Sequence, residues 1–388
     1  MTELIDSHLA SLLTPCLLTG GTEVATLETA SALHALGFEV EVIVYFDEVD
    51  DLMFQRFVAA GIRVSLLGLR RGVSPIAQLR LVLALAWALR RGQRCSLVWL
   101  QYLTPTLLPL LVARAFARRM VAAVHVAATH FDGQAQRRLR WLADHWCDRV
   151  VCVSDTSAKG LFGELGTAGR ARVRVIPNAV DTAAACAARG EDWRTRAGWS
   201  RDTSVVGYLG RLAHIKGPDQ LVSAFAMLAA QRPELRLVLA GAGEEEAALR
   251  RQVAGCALTD RVHFAGLIPR DAVFSALRGF DLAVVPSREE GFGLSAAEAM
   301  AAGVATVATH VGALPEVLAE GRSGMLVDPE SPAALARGIV TLLDDPALRA
   351  RLAAAGAADM ARRYGRDGLQ KSLANLCAEL GIEAGVRS

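Results

Sequence analysis

Short apolar runs alternate with amphipathic runs along the whole chain. In the first half the apolar runs are FEVEVIVYF, IRVSLLG, SLVWLQYL, MVAAVHVA, RVVCVS and VRVIP. In the second half they are SVVGYLG, LRLVLAGAG, RVHFAG, DLAVVPS and VATVAT. Between them apolar residues recur at three- and four-residue spacing, as in PDQLVSAFAMLAAQ and EEEAALRRQVAG, which predicts helices with one buried face. Strands that alternate with helices imply an α/β chain with parallel, doubly wound sheets. The pattern runs twice. Between the runs lies NAVDTAAACAARGEDWRTRAGWSRDT, residues 178–203, which has no strand period. We place the hinge near 178–190 and two domains at 1–180 and 181–365, facing each other across a cleft, with ligands at the C-terminal ends of the strands. HLASLLTPCLL makes a poor first strand, since it starts late and carries Pro15.

Composition narrows the class. The chain has 388 residues, 52% of them hydrophobic, and a net charge of +2, so it is globular and offers no general argument for nucleic acid. Its seven cysteines are odd in number and form no C-x-x-C pair, which fits reduced thiols in a cytoplasm and neither a disulfide framework nor a zinc site. The first residues, MTELIDSH, lack the basic start of a signal peptide. Residues 75–119 are apolar, but Arg80, Gln101, Pro105 and Pro109 interrupt them, so they read as strand and helix of a soluble core. Arg90, Arg91, Arg94, Arg114, Arg118 and Arg119 crowd that region, either as a solvated face or as a peripheral contact with anionic lipid headgroups.

The strand ends are where chemistry is expected. LLTGGTEVATLETASAL puts Gly20 and Gly21 before a helix opening at Thr22. That is either a plain turn or a place where backbone meets an anion, with Glu23 an alternative first-turn charge. VAAVHVAATH ends a strand with His125, and His130 follows. His125, at the strand end, could orient a substrate hydroxyl or be an ordinary core histidine, with His130 the lesser alternative for the first role; nothing nearby completes a metal set. YLGRLAHIKGPDQL places Arg211 and Lys216 in a loop before a helix that starts near Pro218, two cations suited to a diphosphate. LAGAGEEE has Gly241 and Gly243 but Glu246 where a dinucleotide fingerprint needs a third glycine, so it does not support NAD. In REEGFGLSAAEAMAAG, Ser295 and Glu298 fit a capping box. That reading leaves unexplained Glu290 and the glycines Gly291 and Gly293 that bracket Phe292. A carboxylate at Glu290 can accept hydrogen bonds from sugar hydroxyls, and one at Glu298 can take the paired hydroxyls of a ribose.

The segment Glu290 to Gly303 resembles the E-x7-E segment of the GT-B glycosyltransferases of family 4, the glycosyl transferases group 1. The resemblance extends to Gly20-Gly21-Thr22-Glu23, CVSD at Cys152 to Asp155, IPNAVD at Ile176 to Asp181, GRLAHIKG, LAGAGEEE and GALPEVLAEGRSGMLVDPES from Gly312. It implies two Rossmann-like domains, with the second holding a nucleotide-sugar donor, UDP- or GDP-linked. It implies Arg211 and Lys216 on the diphosphate, Glu298 on the ribose and Glu290 on the transferred sugar. Backbone N–H groups of Gly291, Phe292, Gly293 and Leu294 would meet donor oxygens, Gly20 and Gly21 would lie over the cleft, and His125 would lie near the sugar. It also implies that a C-terminal helix within 366–388 crosses back to the first domain, and that transfer to a glycan or lipid-linked acceptor retains anomeric configuration.

Part of the mechanism follows without the family. Sugar transfer leaves negative charge on the departing diphosphate. The chain has no D-x-D to hold a metal, so Arg211, Lys216 and helix N-termini are expected to neutralise that charge without a metal or other cofactor. Two rival readings bind the same ligand: a sugar-nucleotide epimerase of this architecture, and a non-catalytic nucleotide-sugar-binding protein.

Overall fold

The computed structural model describes residues 8–91, 95–103, 108–163 and 167–382; residues 1–7, Arg94 and Pro105 lie outside them. The chain divides into two units, residues 1–179 with 366–388, and residues 180–365. The first unit carries strands β1 (Leu9–Thr14), β2 (Glu39–Phe46), β3 (Arg63–Leu69), β4 (Cys95–Leu100), β5 (Ala117–Val124), β6 (Arg149–Cys152) and β7 (Val173–Val175). They form one parallel sheet in the order β3-β2-β1-β4-β5-β6-β7. The second carries β8 (Ser204–Leu209), β9 (Leu235–Ala240), β10 (Val262–Gly266), β11 (Leu282–Val285), β12 (Thr306–Thr309) and β13 (Met325–Val327). Its parallel order is β10-β9-β8-β11-β12-β13.

Both orders reverse direction once, between β1 and β4 and between β8 and β11. A doubly wound sheet binds ligands at the C-terminal side of such a reversal, because the crossover helices leave opposite faces there and open a crevice. Every residue of β1, β4, β11 and β12 is buried, as expected of parallel strands covered by helices on both faces. β1 is therefore a full central strand, and Pro15 stops it where the backbone N–H would be missing. The run Met325–Val327 is an additional edge strand of three residues, too short to show a period.

Two elements refine the expected layout. The helix Pro75–Arg91 places Leu81, Leu85, Ala88 and Leu89 in the core of the first unit. Among the described residues no helix is long and apolar enough to cross a membrane. The C-terminal helix Arg366–Glu379 belongs to the first unit. It buries Leu369, Leu373, Leu376 and Cys377, and Arg366 grips the buried Glu28 with two bonds of 2.6 and 2.7 Å. Arg119 donates to the carbonyl of Leu380 at 2.7 Å, and Glu379 accepts from Arg149 and Arg174.

Leu373 is fully buried at the centre of this docked face. Leu373→Ala is expected to lower the stability of the first unit by about 2–5 kcal/mol through lost transfer energy and a residual cavity. Calorimetric unfolding checks this, and an unchanged transition would show that the helix contributes nothing to that core.

Candidate active site

The second unit gathers its polar residues on the loops that follow β8, β9, β11 and β12. These loops touch backbone to backbone. Gly210 N–H donates to the carbonyl of Ala240, Leu212 N–H to Ala242, and Glu245 N–H to Leu212. A Cβ on Gly241 would stand 1.8 Å from the carbonyl oxygen of Gly210, and Gly241 has φ 143°, so only glycine fits. The G-x-G at 241 and 243 thus serves to seat the loop that carries Arg211 and Lys216. On the other side, Gly312 has φ 51° and its missing side chain leaves room for the carbonyl of Glu290, 2.0 Å from where a Cβ would be. Ala313 N–H donates to that same carbonyl at 3.2 Å.

Glu290 is buried, and its Oε1 accepts from Lys216 Nζ at 2.7 Å and from Ser287 Oγ at 2.9 Å. Arg288 ties the same two loops together. Its guanidinium binds both carboxylate oxygens of Asp219 at 2.7 Å, the carbonyl of His214 at 2.6 Å and Glu330 at 2.5 Å. These carboxylates hold the Arg288 pKa above its ordinary range. Arg211 is exposed, its carbonyl accepts from the Tyr208 hydroxyl at 2.6 Å, and its guanidinium makes no ion pair among the described residues. The expected pair of loop cations is thus unlike in state: Lys216 is engaged by Glu290 and Arg211 reaches solvent.

The segment Gly291 to Leu294 turns the chain into the helix Leu294–Ala301. Gly293 is its N-cap at φ 95°, and no side chain caps it. The capping box is therefore absent: Ser295 lies inside the helix, one position past its start, where its hydroxyl cannot serve as the cap. Phe292 points into the core, edge-on to Tyr364 at 5.3 Å between ring centres, and fixes the turn by packing. Glu298 is buried and forms an ion pair with Arg270, which stands after β10 on the turn Arg270–Ala272. Nothing in the spacing of the sequence links Arg270 to Glu298; the helix Val273–Arg278, which follows Arg270, packs on the helix Leu294–Ala301 and brings them together.

In the first unit Gly20 is the N-cap of the helix Gly21–Ala35, in extended conformation. The carboxylate of Glu23 folds back to 2.5 Å from where a Gly20 Cβ would be and accepts from its own N–H and that of Leu18. Burial raises the Glu23 pKa, and Cys16 Sγ lies 3.6 Å away with its thiol pushed up to about 11 by burial and by that carboxylate. The anion position at this helix start is occupied by the protein's own carboxylate.

His125 follows β5 and helps to line a cavity of about 20 Å³ in the first unit, together with Trp99, Gln101, Thr29, Asn178 and Leu373. Both ring nitrogens of His125, both amide atoms of Gln101 and the indole nitrogen of Trp99 are buried with no hydrogen-bond partner. Burial lowers the His125 pKa to about 4. His130 sits on the turn Ala128–His130, exposed, against Phe131. The structure separates the two histidines: one lines a small cavity within the first unit and the other is on the surface. Among the described residues no three His, Cys, Asp or Glu side chains converge as metal ligands would.

Comparison with known proteins follows the same division. Residues 190–359 match the family model of glycosyl transferases group 1, and residues 19–184 match that of glycosyltransferase family 4. The 2-deoxystreptamine glucosyltransferase of Streptomyces kanamyceticus is 32% identical over 61% of this chain and 66% of its own. The D-inositol 3-phosphate glycosyltransferase of Acidothermus cellulolyticus is 38% identical over 53% of this chain and 47% of its own. The chain thus spans about half to two thirds of the length of these curated relatives. Among solved structures, Anabaena HepE in complex with UDP and glucose superposes with a TM-score of 0.81 at 22% identity, covering 96% of this chain and 99% of that one. Sucrose-phosphate synthase from Thermosynechococcus elongatus gives 0.79 at 22% identity over the same shares. With two doubly wound sheets of matching fold and a family model on each half, the chain belongs to the GT-B glycosyltransferases of group 1, family 4.

Proposed function

We propose that this protein is a retaining, metal-independent glycosyltransferase that moves a sugar from a UDP- or GDP-linked donor to a hydroxyl of a glycan or lipid-linked acceptor. The observation that carries the reading is the Lys216–Glu290 pair at the β8/β11 reversal, held by loops whose backbones leave no other arrangement. Glu290 offers Oε2 to hydroxyls of the transferred sugar while Lys216 holds Oε1. As the leaving diphosphate gains charge, Lys216 and Arg211 supply the positive field that a bound metal supplies elsewhere. Glu298 exchanges Arg270 for the paired hydroxyls of the ribose. The similarity to a glucosyltransferase and to a D-inositol 3-phosphate glycosyltransferase supports sugar transfer as the reaction class.

The test is direct. A panel of nucleoside diphosphates and their sugars should raise the melting temperature with concentration, as any ligand of the native state does, with UDP or GDP strongest. Turnover of the best donor should survive excess EDTA. Loss of turnover that Mg²⁺ or Mn²⁺ restores would remove the metal-independent assignment, and a donor consumed without an acceptor to yield an isomeric nucleotide sugar would favour the epimerase.

The two carboxylates should separate by ligand. Glu298→Gln loses the charge and one acceptor, so nucleoside diphosphate affinity should fall about ten- to a hundred-fold. Glu290→Gln should leave that affinity near wild type and weaken the intact nucleotide sugar or its turnover. Calorimetric titration reads both, and unaltered binding by Glu298→Gln would confine Glu298 to its pair with Arg270.

His125 is proposed to contact the sugar as a neutral ring. Its folded pKa near 4 lies below the ordinary value near 6.5, so protonation favours the unfolded chain. Its contribution to stability is full above pH 6.5 and is lost as pH falls towards 4. NMR titration should show no imidazolium at His125 between pH 5 and 8, and a midpoint near 6.5 would end the neutral-ring assignment.

A further inference from the structure

The helix Pro75–Arg91 is apolar on both faces. One face, Leu81, Leu85, Ala88 and Leu89, is core. On the opposite face Ile76 is 67% exposed, Leu79 58%, Leu83 60% and Trp87 56%, and Val73 just before the helix is 96% exposed. At 3.6 residues per turn these four helical residues, with Arg80 and Arg90, fall within roughly 100° of arc. A surface helix normally turns charged and polar residues outwards, and a helix apolar all round is normally covered on all sides. A contiguous apolar stripe of this kind, edged by polar residues, marks an interaction surface.

Charge identifies what covers it. Between Asp51 and Asp132 the chain contains no Asp or Glu and eleven arginines. Arg63 and Arg71 pair with Glu39 and Glu48, and Arg114 and Arg119 with Asp148. Arg70, Arg80 and Arg90 are exposed and make no ion pair among the described residues. The helix has 17 residues and carries Arg80, Arg90 and Arg91, so it is too short and too charged to span a bilayer. An apolar stripe with Arg80 along one edge and Arg90 at its C-terminal end suits a helix that lies in the interface of an anionic bilayer. There the apolar side chains enter the acyl boundary, and the guanidinium groups remain among the phosphates, to which their planar forks are matched. A partner protein with an acidic rim would share part of this chemistry. The absence of any carboxylate across the whole segment, where a protein interface would need register-setting charges of both signs, favours a laterally uniform anionic surface.

We propose that the first unit docks peripherally on anionic membrane through the outer face of the helix Pro75–Arg91, with Ile76, Leu79, Leu83 and Trp87 inserted and Arg80 and Arg90 on the headgroups. The proposal goes beyond glycosyl transfer and does not depend on it. It would hold the chain at a surface where a lipid-linked acceptor is reached by diffusion in two dimensions.

The full chain should be sedimented with vesicles of phosphatidylcholine alone and of phosphatidylcholine mixed with phosphatidylglycerol. Binding is expected on the mixed vesicles and to fall with added salt. Leu83→Glu/Trp87→Glu alters only exposed positions and should reduce the partition coefficient about tenfold or more. Arg80→Gln/Arg90→Gln should reduce it by about fivefold per arginine and remove the preference for the anionic lipid. Melting temperature and its rise with nucleoside diphosphate should be unchanged in both variants, which separates loss of docking from loss of fold and from failure of the donor assignment. Wild-type protein that stays in the supernatant with both vesicles would overturn the proposal. So would binding that ignores both variants, or an apolar-face variant that only converts a dimer to a monomer in the absence of lipid.

Discussion

The site in the second unit depends on one steric constraint: four strand-end loops approach so closely that side chains are excluded where they meet. The carbonyls of Gly210 and Glu290 occupy the volume that side chains on Gly241 and Gly312 would need. Main-chain hydrogen bonds then complete the contacts between the loops. A loop fixed this way has few backbone states to lose when a ligand arrives, so its side chains are already aimed. Alanine at Gly241 would force both a positive φ and a backbone clash, and the strain would reach Arg211 and Lys216 through a single turn of chain.

Two ion pairs sit on that block, and their energetics shape what can bind. The Glu290 and Glu298 side chains are 7% and 4% exposed, and each has one cation. A buried carboxylate left without its partner costs several kcal/mol, so neither can be vacated unless the incoming group replaces the lost bonds. A sugar hydroxyl donates one hydrogen bond and paired ribose hydroxyls donate two, which matches what Glu290 Oε2 and Glu298 would accept. A ligand that brings a phosphate but no hydroxyls could draw Lys216 away yet would leave Glu290 with only Ser287. On the proposed reading, the pairing would thus favour a nucleotide carrying a sugar over a bare phosphate.

The doubly wound architecture was legible because parallel strands buried on both faces read as unbroken apolar runs, and their crossover helices keep a separate period. Elements below the length of a period were not: Met325–Val327 is three residues, and β1 hides in a run whose proline looks disruptive until it proves to lie at the strand's end. At the site, Lys216 and Glu290 were legible as charges next to glycine turns at strand ends. Arg270 was not, since it lies 28 positions before Glu298 and reaches it only through the packing of the helix Val273–Arg278 on the helix Leu294–Ala301. The S-x-x-E spacing at Ser295 misled for a related reason. Spacing alone cannot locate the first helical residue, and here a glycine at positive φ moved the cap two positions upstream.

The two units hold their polar groups in opposite ways, and this bears on which half is specialised. In the second unit nearly every buried charge has a partner, so its strand-end loops form a finished electrostatic assembly. In the first, Trp99, Gln101 and His125 bring five buried polar atoms without partners to the C-terminal ends of β4 and β5, beside the β1/β4 reversal. Each such atom costs roughly 1–3 kcal/mol relative to a satisfied one. Leu, Phe or Met at these positions would fill the space and remove that cost, and the surrounding Ala123, Val151, Val153 and Leu373 show that the site is otherwise built as core. A histidine that merely completed a core would be expected to find a carbonyl or carboxylate nearby. His125 has neither, and its neighbours are themselves unsatisfied polar groups. The ordinary core-histidine reading therefore accounts for its burial but not for its company, and unsatisfied polar groups at the strand ends of a doubly wound sheet are what the proposed contact of His125 with a sugar would use.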